Sequence, residues 1–341
     1  MQGRKICQKV RNDTRGRKME KKKYQLIIIG AGPAGLTAAI YAKRAGIDTL
    51  VLEKLSPGGQ AQLTEKIENY PGFPKPISGK KLMNEIVKQV ENLKVELKNE
   101  GVERIEDGKE KKVYTDVGND YQALALIVAT GSDPMKLGVP GEEKFTGKGV
   151  SYCATCDAPF FRDVDILVVG GGNTAAEEAL YLTNFGKKVY LIHRRDRLRA
   201  EKILQDRILA NPKIEIIWHS VLKEIYGKEN VRGVKIKDLK SGSIYELPCR
   251  GVFIFVGLKP NTYFLKNRQE HLYSNPQDLV KMDENGFIIT NEDMETNIRG
   301  IFACGDVRKN KLKQVVVACG EGAQAAFAAR KYIEKLTGTS Y

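Results

Sequence analysis

The sequence predicts an α/β protein made of two three-layer units, each a parallel sheet between helices, with the second unit inserted into the first. Three observations carry this. A strand, a glycine turn and a helix at Gly30 recur at Gly170, 140 residues later. Segments belonging with the first copy occur at both chain ends. A closely spaced thiol pair, Cys153 and Cys156, stands just ahead of the second copy. At 341 residues the chain is long for one domain, and two units would each bury a sizeable core.

Composition removes several function classes. Residues 1–23 hold ten Lys and Arg against Asp13 and Glu20, a net of +8, so the remaining 318 residues carry only +6 of the total +14. That head has almost no apolar content, no periodicity and no signal-peptide core, so residues 1–22 are expected to be a basic, disordered extension. Met19 stands just ahead of the first strand, so an upstream start choice is expected to account for much of it. A charge confined to the head argues against nucleic acid as the main partner. No apolar run approaches the roughly 18 residues of a membrane span, and the longest candidates, such as 251–257, are strand-sized. Six cysteines, only two at motif spacing, fit a reducing compartment, and the cytoplasm is the expected one.

In chain order, residues 23–29 form a continuous β-branched apolar run, the pattern of a strand buried on both faces. It leads into Gly30-Ala31-Gly32-Pro33-Ala34-Gly35, with apolar residues following at helical spacing and Pro33 in the first turn. A second strand, 48–53, ends on Glu53. This order is the Rossmann-like dinucleotide fingerprint. Its glycines permit a tight turn, the helix N-terminus faces a pyrophosphate, and the acid accepts from a ribose 2′-hydroxyl.

The stretch from Pro57-Gly58-Gly59-Gln60 to Glu68-Asn69-Tyr70-Pro71-Gly72-Phe73-Pro74 is too aromatic for a solvated spacer and reads as a long loop over a ligand. Ser78 opens a helix to about Leu93. Short strands at 102–106 and 112–115 precede a buried-type strand, 124–131, ending on Thr130 and Gly131. Gly59, Gln60, Asn69, Thr130 and Gly131 join the candidates for the first nucleotide.

From Ile166 the pattern restarts. A strand, 166–169, meets Gly170-Gly171-Gly172-Asn173-Thr174-Ala175; a helix is expected over 176–185 and a strand over 188–192. Glu53 lies 23 residues after Gly30, and His193 lies 23 after Gly170, which marks a duplicated fold. The two ends differ. In place of the acid, the second copy has His193, Arg194 and Arg195, with Arg199 beyond. A carboxylate suits an unphosphorylated ribose, whereas guanidinium forks suit a 2′-phosphate. The first site is therefore read as FAD and the second as NADPH. The competing reading is a solvated helix start, the arginines offset by Asp196 and Glu201.

The tail returns to the first unit. Residues 300–306 form an apolar strand ending on Gly305 and Asp306, suited to the ribityl or pyrophosphate part of a flavin cofactor. An Ala-rich helix is expected from Gln314 to about Leu336, its N-terminus available to negative charge on a reduced flavin. The flavin domain then comprises 23–133 plus 262–341, and 134–261 is the inserted domain, with crossings near 132–135 and 258–262.

The thiol pair sits in Ser151-Tyr152-Cys153-Ala154-Thr155-Cys156-Asp157. Structural zinc would need four ligands, and Cys249, Cys304 and Cys319 show no partner at metal spacing, while His193, His219 and His271 are the only histidines. No metal is expected. A redox dithiol is the better fit, with Asp157 as the adjacent acid for the departing thiolate, or else as a helix cap. The other three cysteines read as buried filler, although Cys304 stands beside Gly305 and Asp306, and Cys7 falls in the head.

Taken together, Gly30–Gly35, Pro57–Gln60, Glu68–Phe73, Cys153–Asp157, Gly170–Ala175, the His193 arginine cluster and Gly305-Asp306-Val307 resemble the low-molecular-weight thioredoxin reductases of bacteria. The resemblance covers about residues 24–336. It implies a homodimeric flavoenzyme in which electrons pass from NADPH through FAD to a Cys153–Cys156 disulfide and on to thioredoxin or a thioredoxin-like protein. It also implies that Cys156 faces the flavin, that Cys153 attacks the partner, that Lys313, Gln314 and Val315 lie at the flavin, and that two domain arrangements alternate. A related flavin-dependent disulfide reductase or dithiol oxidase with another donor or acceptor is the alternative. Three departures stand out: Ala158 where Gly commonly follows the acid, Leu258 where the family has His after Gly257, and Lys313-Gln314-Val315 for Arg-Gln-Ala.

Overall fold

The computed structural model describes residues 22–64, 67, 69–265 and 280–340. Most of the basic head, with Cys7, lies outside the described residues, as does His271.

The chain begins with β1 (Lys22–Ile29), α1 (Pro33–Arg44), β2 (Thr49–Glu53), α2 (Gly79–Asn92), β3 (Glu96–Asn99), β4 (Val102–Glu106), β5 (Lys111–Thr115), β6 (Asp120–Val128) and β7 (Ser132–Pro134). It continues through β8 (Val150–Ser151), α3 (Ala154–Asp157), β9 (Asp165–Gly170), α4 (Asn173–Leu182), β10 (Lys188–Ile192), α5 (Lys202–Ala210) and β11 (Ile214–Ile217). The remainder is β12 (Ser220–Gly227), β13 (Val231–Asp238), β14 (Ile244–Pro248), β15 (Gly251–Phe255), β16 (Leu258–Pro260), β17 (Ile301–Ala303) and α6 (Val315–Thr337).

The strands form two large sheets. The first has the order β3-β2-β1-β6-β5-β4, with β17 also on β6; β1, β2, β3, β6 and β17 run parallel. The second, β11-β10-β9-β15-β8, is parallel throughout. Since β17 comes from the far end of the chain, the first sheet is closed by residues on both sides of the second. The α/β class is as the sequence predicted; the second sheet is parallel, and the first is parallel except for β5, which is antiparallel to β4 and β6.

Burial explains why β1 is apolar without alternation. Leu26, Ile27 and Ile28 are all fully buried. Leu26 and Ile28 pack with alanines of α1 and α6 on one face, while Ile27 and Ile29 meet Phe264, Val280 and Ile288 on the other. A strand covered on both faces needs apolar residues at every position. Helices α1 and α6 approach closely because Gly322 lacks a side chain: a Cβ there would stand 2.1 Å from the Ala34 carbonyl oxygen.

Several boundaries differ from the sequence expectation. β6 begins at Asp120, because its first half alternates and pairs antiparallel with β5. It ends at Val128, leaving Thr130 and Gly131 in the crossing. α4 starts three residues early, at Asn173, since Gly172 is its cap and the turn enters helical geometry at once. The 300–306 strand is only β17, followed by a single turn of 3-10 helix over Gly305–Val307. The antiparallel meander β12-β13-β14 is an addition that the sequence reading did not contain; Leu222, Ile225, Val234 and Ile236 cover Leu167, Val169 and Ile192 of the second sheet.

Candidate active site

At the first glycine turn, Gly32 caps α1 without any side-chain cap, and no acid stands in the helix's first turn. Its N–H groups are therefore open to an anion. Gly35 sits under the turn so tightly that a Cβ would lie 1.9 Å from the Gly30 carbonyl oxygen. Glu53, at the end of β2, accepts from the Ala31 N–H at 2.7 Å and the Leu55 N–H at 2.9 Å. Its carboxylate thus sits at the turn with lone pairs to spare. Gly59, at φ 58°, brings its backbone over Gly32, and Gln60 donates to Asp133 at 2.6 Å.

The second turn is built alike and finished differently. Gly172 caps α4, again without a side-chain cap, and a Cβ at Gly172 would meet nothing within 4 Å. Asn173 is tied to Glu201 reciprocally, at 3.1 and 2.8 Å. His193 is turned inward beneath the turn: it is buried, its Nδ1 lies 2.9 Å from the Gly170 carbonyl oxygen, and its ring blocks any side chain at Gly171. Burial and then the Arg199, Arg195 and Arg194 charges hold it below the usual histidine pKa. Those three arginines are exposed at the mouth, and among the described residues no carboxylate forms an ion pair with them. The Arg199 N–H donates to the Gly171 carbonyl oxygen. Open N–H groups, an uncluttered Gly172 and outward guanidinium groups suit a phosphorylated nucleotide. The structure thus separates His193, which supports the turn, from the arginines grouped with it in the sequence.

The tail supplies a buried polar cluster. Glu321, in α6, accepts from the Gly305 N–H at 2.7 Å, from Arg308 Nη1 at 2.6 Å and from Asn310 at 3.2 Å. Lys313 donates to the Asp306 and Arg308 carbonyl oxygens and to Asn310; burial pulls its pKa down. It braces the turn from behind. Burial pushes the Asp306 carboxyl up. Gly305 takes φ 74° with Ala34 beside it, so the tail turn meets the first glycine turn. Glu321, Arg308 and Asn310 were not picked out from sequence; the flanking Gly320 and Gly322 were the available signal for Glu321.

Cys153 and Cys156 form a disulfide, with Cα atoms 5.3 Å apart across α3. Asp157 ends that short helix and stands at the N-cap position of the 3-10 turn over Ala158–Phe160 without a side-chain cap bond there; its Oδ2 accepts from Ser151 Oγ at 2.6 Å. Ser151 Oγ also accepts from the Cys153 N–H at 3.1 Å. Ala158 is fully buried in the core of the second sheet, which explains a methyl there. The loop is held against the first unit. Gln314 Nε2 donates to Thr155 Oγ1 at 3.0 Å and lies 3.9 Å from Cys153 Sγ, while Asn69 donates to Gln314 Oε1 at 3.0 Å. Val315 follows Gln314 as the first residue of α6. The filler reading holds for Cys249 and Cys304, both buried. It fails for Cys319, which is half-buried and 3.8 Å from the Tyr70 hydroxyl.

The crossings meet as a two-stranded ribbon, β7 against β16, pairing Ser132–Pro134 with Leu258–Pro260. Thr130 Oγ1 donates to the Asn261 carbonyl oxygen at 2.7 Å, and Asn261 Nδ2 returns a bond to Thr130 O at 3.1 Å.

Comparison with known proteins agrees with this geometry. Residues 24–322 match the pyridine nucleotide-disulphide oxidoreductase family. The thioredoxin reductase of Listeria monocytogenes is 45% identical over 318 residues, 93% of this chain and 96% of that protein. The crystal structure of thioredoxin reductase from Streptococcus pyogenes shares 46% identity, covers 93% of this chain and 100% of its own, and superposes with a TM-score of 0.85. That of Lactococcus lactis thioredoxin reductase, in what is described as its FR conformation, shares 45% identity over 92% and 99% of the two chains with a TM-score of 0.61. The family of flavoproteins that use a pyridine nucleotide was legible in the motifs, and no described helix is long and apolar enough to cross a membrane. With a disulfide formed between its two glycine turns in the sequence, the chain belongs to the pyridine nucleotide-disulphide oxidoreductase family and, within it, stands with the thioredoxin reductases.

Proposed function

We propose that this protein is an NADPH-dependent thioredoxin-disulfide reductase, with FAD in residues 23–133 plus 262–341 and NADPH in residues 134–261, working as a cytoplasmic homodimer. The single observation that carries this reading is the Cys153–Cys156 disulfide, on the second unit, held against Gln314 of the first. When bound, NADPH supplies a hydride and FAD carries the electron pair to the disulfide. The N–H groups after Gly32 and Gly172 would hold the two pyrophosphates, Glu53 the adenosine ribose of the first and Arg194, Arg195 and Arg199 the 2′-phosphate of the second. Gly305 and Asp306 close the first site from the tail, braced by Lys313 and Glu321. Asp157, fixed by Ser151, stands in the same turn as the sulfurs and gives a proton to the one that departs. Cys156 takes the electrons and Cys153 exchanges with the partner protein, as the family motif implies.

The dithiol must also leave the first unit to meet another protein. At nearly equal identity the chain superposes at 0.85 on one relative and 0.61 on another, a gap that sequence divergence does not account for and a rotation of one unit on the other does. The β7–β16 ribbon is the place to absorb it.

The test is Cys156→Ser. It should keep its flavin and lose thioredoxin reduction by NADPH to the level of a blank. A normal rate in that variant would overturn the proposal.

A further inference from the structure

We infer that Thr155 is a positioning residue for the sulfur chemistry: its hydroxyl links Gln314 and Asn69 of the first unit to Cys153 and stabilises that sulfur when the disulfide opens. The inference rests on the reductase reading above and names a residue to which that reading gives no role.

Thr155 Oγ1 lies 3.4 Å from Cys153 Sγ. A disulfide sulfur carries no proton, so the hydroxyl is the donor. Its lone pair accepts from Gln314 Nε2 at 3.0 Å, and Gln314 Oε1 accepts from Asn69 Nδ2 at 3.0 Å. Every bond therefore points the same way, from Asn69 through Gln314 and Thr155 to the sulfur, and each polarises the next. The neighbouring ionisable groups have partners of their own. Asp157 accepts from Ser151, and Tyr152 donates to Glu142 at 2.8 Å. Lys313 is turned to the Asp306 and Arg308 carbonyl oxygens.

Reduction changes the sulfur at the end of this chain. Two electrons, which a bound reduced flavin would supply, break the S–S bond; Cys153 departs as a thiolate, and the one proton taken up, delivered through Asp157, is shared between the two sulfurs. A disulfide sulfur is a weak acceptor, whereas a thiolate receives a charge-assisted bond. The Thr155 bond therefore counts for more in the reduced state and draws the equilibrium toward the dithiol. The chain crosses between the two units, so it exists in the arrangement where the dithiol faces the first unit and is broken when the units part. Cys153 is thus stabilised where electrons arrive and released where they are delivered.

The test uses flavin-loaded wild type, Thr155→Val, which removes the hydroxyl at nearly constant shape, and Thr155→Ser, which keeps it. Each is equilibrated anaerobically in glutathione buffers of graded ratio, its thiols are trapped with iodoacetamide, and the modified cysteines are counted by mass spectrometry. Thr155→Val should shift the equilibrium about tenfold toward the disulfide, equivalent to ~30 mV, and Thr155→Ser should restore it. A wild-type titration from Thr155→Val, or an equal shift from Thr155→Ser, would overturn the inference. No thioredoxin enters the measurement, so failure of wild type to reduce thioredoxin is scored separately.

Discussion

The two glycine turns share a spacing and differ in how they are closed. In the first, Glu53 ties the Ala31 N–H, Gly59 lies over Gly32, and Gly35 is pressed against the Gly30 carbonyl. The tail adds Gly305 against Ala34. In the second, a histidine supports the turn from below, a Cβ at Gly172 would meet nothing within 4 Å among the described residues, and Ala175 replaces the third glycine. A turn enclosed by three separate segments suits a resident group, and an open one suits a ligand that exchanges every cycle. That difference is what the proposed flavin at the first turn and the proposed exchanging nicotinamide at the second would require, and it can be broken experimentally.

The largest effect is expected at the third glycine. In Gly35→Ala a Cβ would stand 1.9 Å from backbone oxygen, which neither a rotamer nor a flexible tip can relieve. Overpacking of this kind costs about 3 kcal/mol or more, and the flavin should be lost with it. Gly172→Ala meets open space at an ordinary negative φ and should change stability by less than about 1 kcal/mol. Thermal denaturation and flavin content of the purified variants check the pair. Equal losses would erase the distinction between an enclosed and an open turn.

What the sequence disclosed, and what it hid, follows from the range of the interactions. β1, β9 and the turns behind them were legible because a strand buried on both faces leaves a continuous apolar run and a tight turn demands glycine. The thiol pair was legible from its spacing. His193 was only partly legible: sequence grouped it with its arginines, but it follows the buried end of β10 at Leu191 and Ile192 and turns inward against the Gly170 carbonyl, while Arg194 and Arg195 are exposed. The meander was missed because its strands carry Lys223, Glu224, Lys235 and Lys237 among apolar residues, as a sheet packed on one face does. Thr155 and Gln314 lie 159 residues apart, and Arg308 and Glu321 meet only because α6 folds back on the tail turn. Such contacts depend on how whole elements pack, and no local pattern encodes them.

A second test sharpens the comparison through the helices behind the turns. α1 buries only Ala, Gly and Leu, whereas α4 carries Glu178, whose Oε2 is buried without a partner among the described residues. Burial, with Glu177 adding to it, pushes its pKa up from 4.5 to about 7. The folded protein therefore holds a proton on Glu178 that the unfolded chain releases, so the destabilising contribution of this one group is absent below pH 4.5 and grows as pH rises toward and past 7. Glu178→Gln removes that cost. It should add up to about 3 kcal/mol above pH 8 and little below pH 4, measured by denaturant unfolding at both values. An equal gain at both would mean that Glu178 acts through packing and not through its proton.

The smallest of the three effects concerns what the open turn selects. Arg194, Arg195 and Arg199 stand exposed at its mouth; of the two acids available to offset them, Glu201 is held by Asn173, and Asp196 forms no ion pair with them among the described residues. Guanidinium groups without carboxylate partners have their donors free for a phosphate. A charge-assisted bond is worth about 1.5–3 kcal/mol, and solvent screening at an exposed mouth draws the value to the lower end. Replacing Arg194 and Arg195 together by Gln should raise KM for NADPH about tenfold and leave kcat and the KM for NADH where they were, because only uniform binding to the 2′-phosphate is removed. Raising the salt concentration should narrow the NADPH preference of the wild type more than that of the variant, which keeps only Arg199. Parallel weakening of both nucleotides would instead make the arginines part of the turn's scaffold, and the selectivity of the second site would have to be sought in the residues that hold Asn173 and Glu201.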